Sequence, residues 1–170
     1  MLTTLIILGV LGVVAGLAGR YRHASAFSAQ KDQAIQAAQV TLQLVSNEAR
    51  AAFLISAPTH GQPASPTLEL KRVDPGADRL PIDPDPLPVA WDPYADETSV
   101  QVRYLLSGER LLRESTQASQ TTSTRAGEGI AAFSAEFLPN RNLQLRLAMV
   151  SDSRGMVLKT EVFRGDRDAP

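Results

Sequence analysis

The chain has 170 residues, 44% of them hydrophobic and 21% charged, with 17 basic and 18 acidic groups for a net charge of -1. This composition allows one domain with its own core, with or without an anchor, and excludes wholesale disorder and a nucleic-acid binder working by bulk positive charge. Cysteine is absent, which removes disulfides, thiolate metal sites, cysteine nucleophiles and iron–sulfur clusters together.

Residues 1–23 read as a transmembrane helix and its boundary. Met1 to Gly19 carry no charged residue. At the rise of an α-helix, such a run spans roughly 28 Å, close to the hydrocarbon thickness of a bilayer. Gly12 and Gly16 form a small-xxx-small pair. With Gly9 and Gly19 they are the candidate helix-packing positions. A plain signal anchor, whose glycines do nothing special, has the same composition. A cleaved secretory signal needs a basic stretch ahead of the apolar run, and none is present. Arg20 and Arg22 follow the run instead, and charge bias alone places that flank in the cytoplasm. A start upstream of Met1, with a basic leader, would resolve that conflict.

Residues 24–57 continue the anchor as an amphipathic helix. Phe27, Ala34, Ile35, Ala38, Leu42, Val45, Ala49, Ala52 and Phe53 recur at three and four residues, with polar residues between them. Pro58 and Gly61 enforce the stop. This stripe is core packing, not a cofactor site.

Residues 58–98 form a proline-rich variable loop with one short strand. Nine prolines fall between Pro58 and Pro93, and only the run Leu68 to Val73 reads as β. Residues 99–170 then read as an antiparallel sheet. Ser99 to Leu106 and Arg110 to Ser115 form a hairpin around Ser107-Gly108-Glu109. Gln117 to Gly129, rich in serine, threonine and glutamine, reads as a mobile excursion. Strands follow at 130–138, 142–150 and 156–164, with Leu143, Leu145, Leu147 and Met149 alternating with Gln144, Arg146 and Ala148. The predicted fold class is α+β: a long N-terminal helix, membrane-spanning then amphipathic, packed on a C-terminal antiparallel sheet.

Sites of chemistry are scarce. Asp83, Asp85, Asp92 and Asp96, with Glu97, are candidate oxygen ligands for calcium, the only cofactor the residues suggest. They lack EF-hand spacing, and a proline-stiffened loop with turn-forming aspartates is the commoner arrangement. Trp91 either pins that loop to the domain or offers a contact to a partner. Glu109 and Glu114 flank a hairpin without a shared cleft. His23 lies at the membrane boundary and His60 in a loop. No Gly-x-Ser-x-Gly elbow and no phosphate-cradling glycine loop occurs. Nothing assembles nucleophile, base and orienting group, so the chain is expected not to be an enzyme and to take no small-molecule substrate.

The order of apolar helix, amphipathic extension, variable loop and terminal antiparallel sheet resembles that of type IV pilins and type II secretion pseudopilins. Thr4-Leu5-Ile6-Ile7-Leu8 resembles the Thr-Leu-Ile-Glu-Leu core of their N-terminal signature. Val102 to Arg113, Gly129 to Phe133, and the closing stretches Leu145-Arg146-Leu147 and Val162-Phe163-Arg164 are similar to the larger minor pseudopilins of the J type. Two positions depart from the family. Leu2 stands before Thr3 where the leader peptidase of the family requires glycine, and Ile7 replaces the signature glutamate. In the family that glutamate neutralises the N-terminal amine of a neighbouring subunit, and certain minor subunits lack it.

The resemblance implies a pilin-like structural subunit that assembles by helix packing to initiate or cap a membrane-anchored filament. Such a filament serves type II secretion, type IV pili or DNA uptake. Its partners would be other pilin-like subunits, a membrane assembly platform and the lipid bilayer, with nucleic acid only indirectly, through a DNA-uptake pilus. The location implied is the cytoplasmic (inner) membrane, crossed once, with the C-terminal domain outside. The competing expectation is a single-pass anchored extracytoplasmic binding module that forms no filament.

Overall fold

The computed structural model describes residues 2–74, 98–117, 119–150 and 155–163. Of the side chains before Lys31 it describes those at Gly16, Arg20, Tyr21, Ser25, Ser28 and Ala29. Two compact units result, Met1–Gln36 and Ala37–Pro170. The first contains helix, the greater part of α1 (Leu2–Ala51). The second contains the remainder of α1 and eight strands.

Those strands form two antiparallel meanders. The first sheet has the order β1 (Ala52–Ala57), β2 (Leu68–Val73), β3 (Ser99–Ser107), β4 (Arg110–Gln117) and β5 (Gln120–Glu128). The second consists of β6 (Ile130–Phe137), β7 (Leu143–Met149) and β8 (Met156–Val162). Within each sheet every strand pairs with its neighbour in sequence, and the longest link, from β2 to β3, covers residues 74–98. Gly108, at φ +60° in the two-residue link from β3 to β4, supplies the positive φ that a tight hairpin turn needs. Hydrogen bonds tie the sheets together: Ile130 N–H donates to Glu109 O (3.0 Å), and Ser65 and Ala135 exchange a pair at 2.8 and 2.9 Å.

The expected fold class is therefore corrected. The protein is not a membrane-spanning and then amphipathic helix laid on one C-terminal sheet. It is mostly antiparallel β, with the larger sheet beginning at Ala52, directly after α1. The helical stretch buried in the second unit is short: Ala38, Thr41, Leu42, Val45, Ser46 and Ala49. Among the described residues, no helix is long and apolar enough to cross a membrane.

Two segments account for most of the difference. Ala52-Phe53-Leu54-Ile55 continues the apolar spacing of the helix but also satisfies an alternating period, and pairing with β2 decides for strand (Ala52↔Arg72, Ile55↔Leu70). The helix thus ends at Ala51, six residues before the expected stop. Gln117 to Gly129, expected to be an excursion, carries β5, held against β4 by Thr116↔Thr121, Ser115↔Thr122 and Arg113↔Thr124. As an edge strand it is largely exposed, so it has no hydrophobic alternation to betray it.

The core follows the pleat. Leu68, Leu70, Val100, Val102 and Tyr104 are buried in the first sheet, and Leu143, Leu145, Leu147 and Met149 in the second with Ile130, Phe133, Ala135 and Val162. At Gly127 helix and sheet approach closely. A Cβ there would lie 2.7 Å from Thr41 Oγ1 and 2.9 Å from Ile130 Cδ1. Thr41 Oγ1 lies 2.9 Å from Ala37 O and 3.2 Å from Ala126 O, so its single proton serves both helix and strand.

Candidate functional site

Among the described residues, the densest polar constellation is centred on Glu48. It sits on α1 three residues after Val45 and four before Ala52, on the side that faces the first sheet, and its side chain is 12% exposed. Tyr104 of β3 donates its hydroxyl to Glu48 Oε2 at 2.6 Å. Arg113, paired with Tyr104 in the sheet register, donates Nη2–H to Oε1 at 2.8 Å and Nε–H at 3.1 Å. Arg72 of β2 adds its guanidinium at 3.5 Å.

Burial raises the carboxyl pKa of Glu48. The hydrogen bonds from Arg113 and Tyr104, with the charges of Arg113 and Arg72, outweigh that and hold it below the usual range. Burial and the adjacent carboxylate push the Tyr104 phenol well up, and the bond to Glu48 raises the Arg113 guanidinium. A carboxylate with both oxygens engaged is neither a free base nor an open ligand. The constellation holds position: it pins one turn of α1 across β2, β3 and β4.

A second feature lies on another side of the same helical stretch. A cavity of about 750 Å³ opens between α1 and β8. Leu42, Gln39, Gln43, Ser46, Asn47 and Arg50 form its helix wall, and Leu158 to Thr160 form its strand wall. A third feature is an apolar stripe on the outer surface of α1. Val40 and Leu44, four residues apart, are 64% and 40% exposed, and Ala37 and Ala51 are exposed beside them on the same arc.

The residues singled out by sequence do not gather into one site. Gly16 is exposed, and a Cβ placed there meets nothing within 4 Å. The surroundings of Gly9, Gly12, Gly19 and His23 lie outside the described side chains, and Asp83, Asp85, Asp92, Asp96, Glu97 and Trp91 outside the described residues. Among the described residues no group of three or more acidic or histidine side chains could hold a metal ion. His60 stacks on Phe137 with ring centroids 3.9 Å apart. Glu109 is exposed at the hairpin turn, while Glu114 lies half-buried within β4 opposite Arg103 and Ser123.

Sequence reasoning missed the Glu48 constellation. Its signal was a lone carboxylate inside the apolar spacing of α1, which burial would penalise unless a partner met it. Comparison of the chain with protein-family models, with curated proteins and with solved structures yields no match. The functional reading therefore rests on the residues and their geometry.

Proposed function

We propose that the chain is a structural subunit of the minor pilin or pseudopilin type, which packs by its helix against other pilin-like subunits to initiate or cap a membrane-anchored filament. The filament would serve type II secretion, type IV pili or DNA uptake. The observation that carries this reading is that the stretch of α1 buried in the β unit is apolar on two sides. Ala38, Leu42, Val45 and Ala49 are buried, while Val40 and Leu44 face outward. A helix buried along one stripe normally presents polar residues on the opposite one, and an outward apolar pair suits a second helix. The N-terminal resemblance around Thr4 to Leu8 supports the same class. With it goes a location: association with the cytoplasmic membrane, on its outer side. The role is structural rather than catalytic, and calcium at the aspartate-rich loop is not part of it.

Because the chain has no cysteine, Val40→Cys or Leu44→Cys introduces a unique thiol for crosslinking in native membranes. The expected result is a crosslink at either position to a pilin-like helix, identified by mass spectrometry, and its loss on adding Val40→Glu to the Leu44→Cys chain. Crosslinks to no pilin-like protein would overturn the filament reading. The cavity beside β8 favours a second reading, an anchored extracytoplasmic binding module, which the same experiment separates by the identity of the crosslinked chain.

A further inference from the structure

The second sheet ends on β8. Its order is β6, β7, β8, so β8 pairs with β7 on one edge, from Leu143↔Val162 to Met149↔Met156. Alternate residues of an antiparallel strand direct their N–H and C=O groups to opposite edges. Among the described residues, the outer edge of β8 therefore carries backbone donors and acceptors that the sheet does not use.

The cavity between α1 and β8 lies beside this strand. Leu158 and Thr160 project from one face of the strand and Lys159 from the other, yet all three line the cavity. Consecutive residues of opposite orientation border a single space where that space reaches the backbone of the strand. The opposite wall holds side chains able to bond an extended backbone: Gln39, Gln43 and Asn47. Its charge has one sign. Arg50 and Lys159 both line the cavity and both are exposed, and among the described lining residues there is no carboxylate.

We infer that this cavity receives an extended acidic polypeptide segment, which adds to β8 as a fourth strand of the second sheet. Main-chain hydrogen bonds to β8 would hold it, and Arg50 and Lys159 would select for carboxylates. A lysine on an edge strand is also a common device against unwanted pairing. Here a second cation from α1 shares the space, and the wall between them is amide-rich. The other end of the first sheet lacks this arrangement: on β5, Arg125 pairs with Glu128, which also takes Arg110. The inference stands apart from the filament reading, because it concerns a different surface from Val40 and Leu44.

The test uses the full-length chain and three labelled octapeptides, followed by fluorescence anisotropy. One alternates Glu and Val, one alternates Lys and Val, and the third is the acidic peptide with every second amide N-methylated. The acidic peptide should bind about tenfold more tightly than the basic one, as expected for two exposed charge contacts. N-methylation should remove binding, since it blocks the edge that meets β8. Arg50→Glu with Lys159→Glu, both at exposed positions, should reverse the preference toward the basic peptide. Equal binding of acidic and basic peptides, indifference to N-methylation, or an unchanged preference in the double variant would each overturn the proposal.

Discussion

The first sheet meets α1 through a carboxylate, a phenol and two guanidinium groups set among the buried Leu68, Leu70, Val100 and Val102, whereas the inner face of the second is lined by Leu143, Leu145, Leu147, Met149 and their apolar neighbours. The two interiors solve different problems. Apolar side chains stabilise in proportion to the area they bury, and they tolerate small shifts of one layer over another. A bidentate arginine and a short tyrosine bond to one carboxylate are directional, so they allow a single placement of α1 on its sheet. The contrast also predicts different responses to pH, because the first interior holds the buried Glu48 carboxylate with its lowered pKa.

The largest effect should come from Glu48→Ala, which leaves Arg113 and Arg72 in a buried site without their anion. Removing one member of a buried pair costs about 4 kcal/mol, read as a drop in unfolding free energy by urea titration at neutral pH. The folded protein holds Glu48 below the usual carboxylate range. Its contribution is therefore present above the unfolded pKa and lost as pH falls through the folded one. The gap between the parent and Glu48→Ala should close on acidification. Leu145→Ala, which empties a fully buried position in the second sheet, should cost about 3 kcal/mol, and that loss should stay constant over the same pH range. A constant gap for Glu48→Ala would show that the carboxylate acts by packing and not by charge.

Gly127→Ala tests a close approach of α1 to the first sheet. Its methyl would press on Thr41 and Ile130, at a cost of about 2 kcal/mol by thermal unfolding. Tyr104→Phe should have the smallest effect, about 1 kcal/mol, because Arg113 continues to satisfy Glu48. A larger loss on Tyr104→Phe than on Glu48→Ala would reverse the roles assigned here to the two residues.

The parts legible in advance share one property, that their pattern is local. Leu143 to Met149 alternate within seven residues, and Gly108 marks its hairpin without reference to distant residues. Where two local patterns coincide, as at Ala52 to Ile55, sequence could not choose between helix and strand, and the ladder to β2 did. Where a strand is exposed on both faces, as in Gln120 to Glu128, no pattern existed to read. The candidate site was hidden for a third reason. Glu48 meets partners 56 and 65 residues away in the chain, and neither Tyr104 nor Arg113 stands out from its strand.

Composition and periodicity alone determined the absence of thiol chemistry, the apolar start of the chain, the hairpin turn at Gly108 and most of the strands, because each depends on residues within a few positions of one another. Only the tertiary structure decided the rest: where α1 gives way to β1, the division into two sheets, the burial of Glu48 among two arginines and a tyrosine, and the placement of Arg50 and Lys159 around one cavity. Those outcomes depend on which segments come to lie side by side. That is settled by the free energy of burying and satisfying groups far apart in the chain, a quantity that no single stretch of sequence carries.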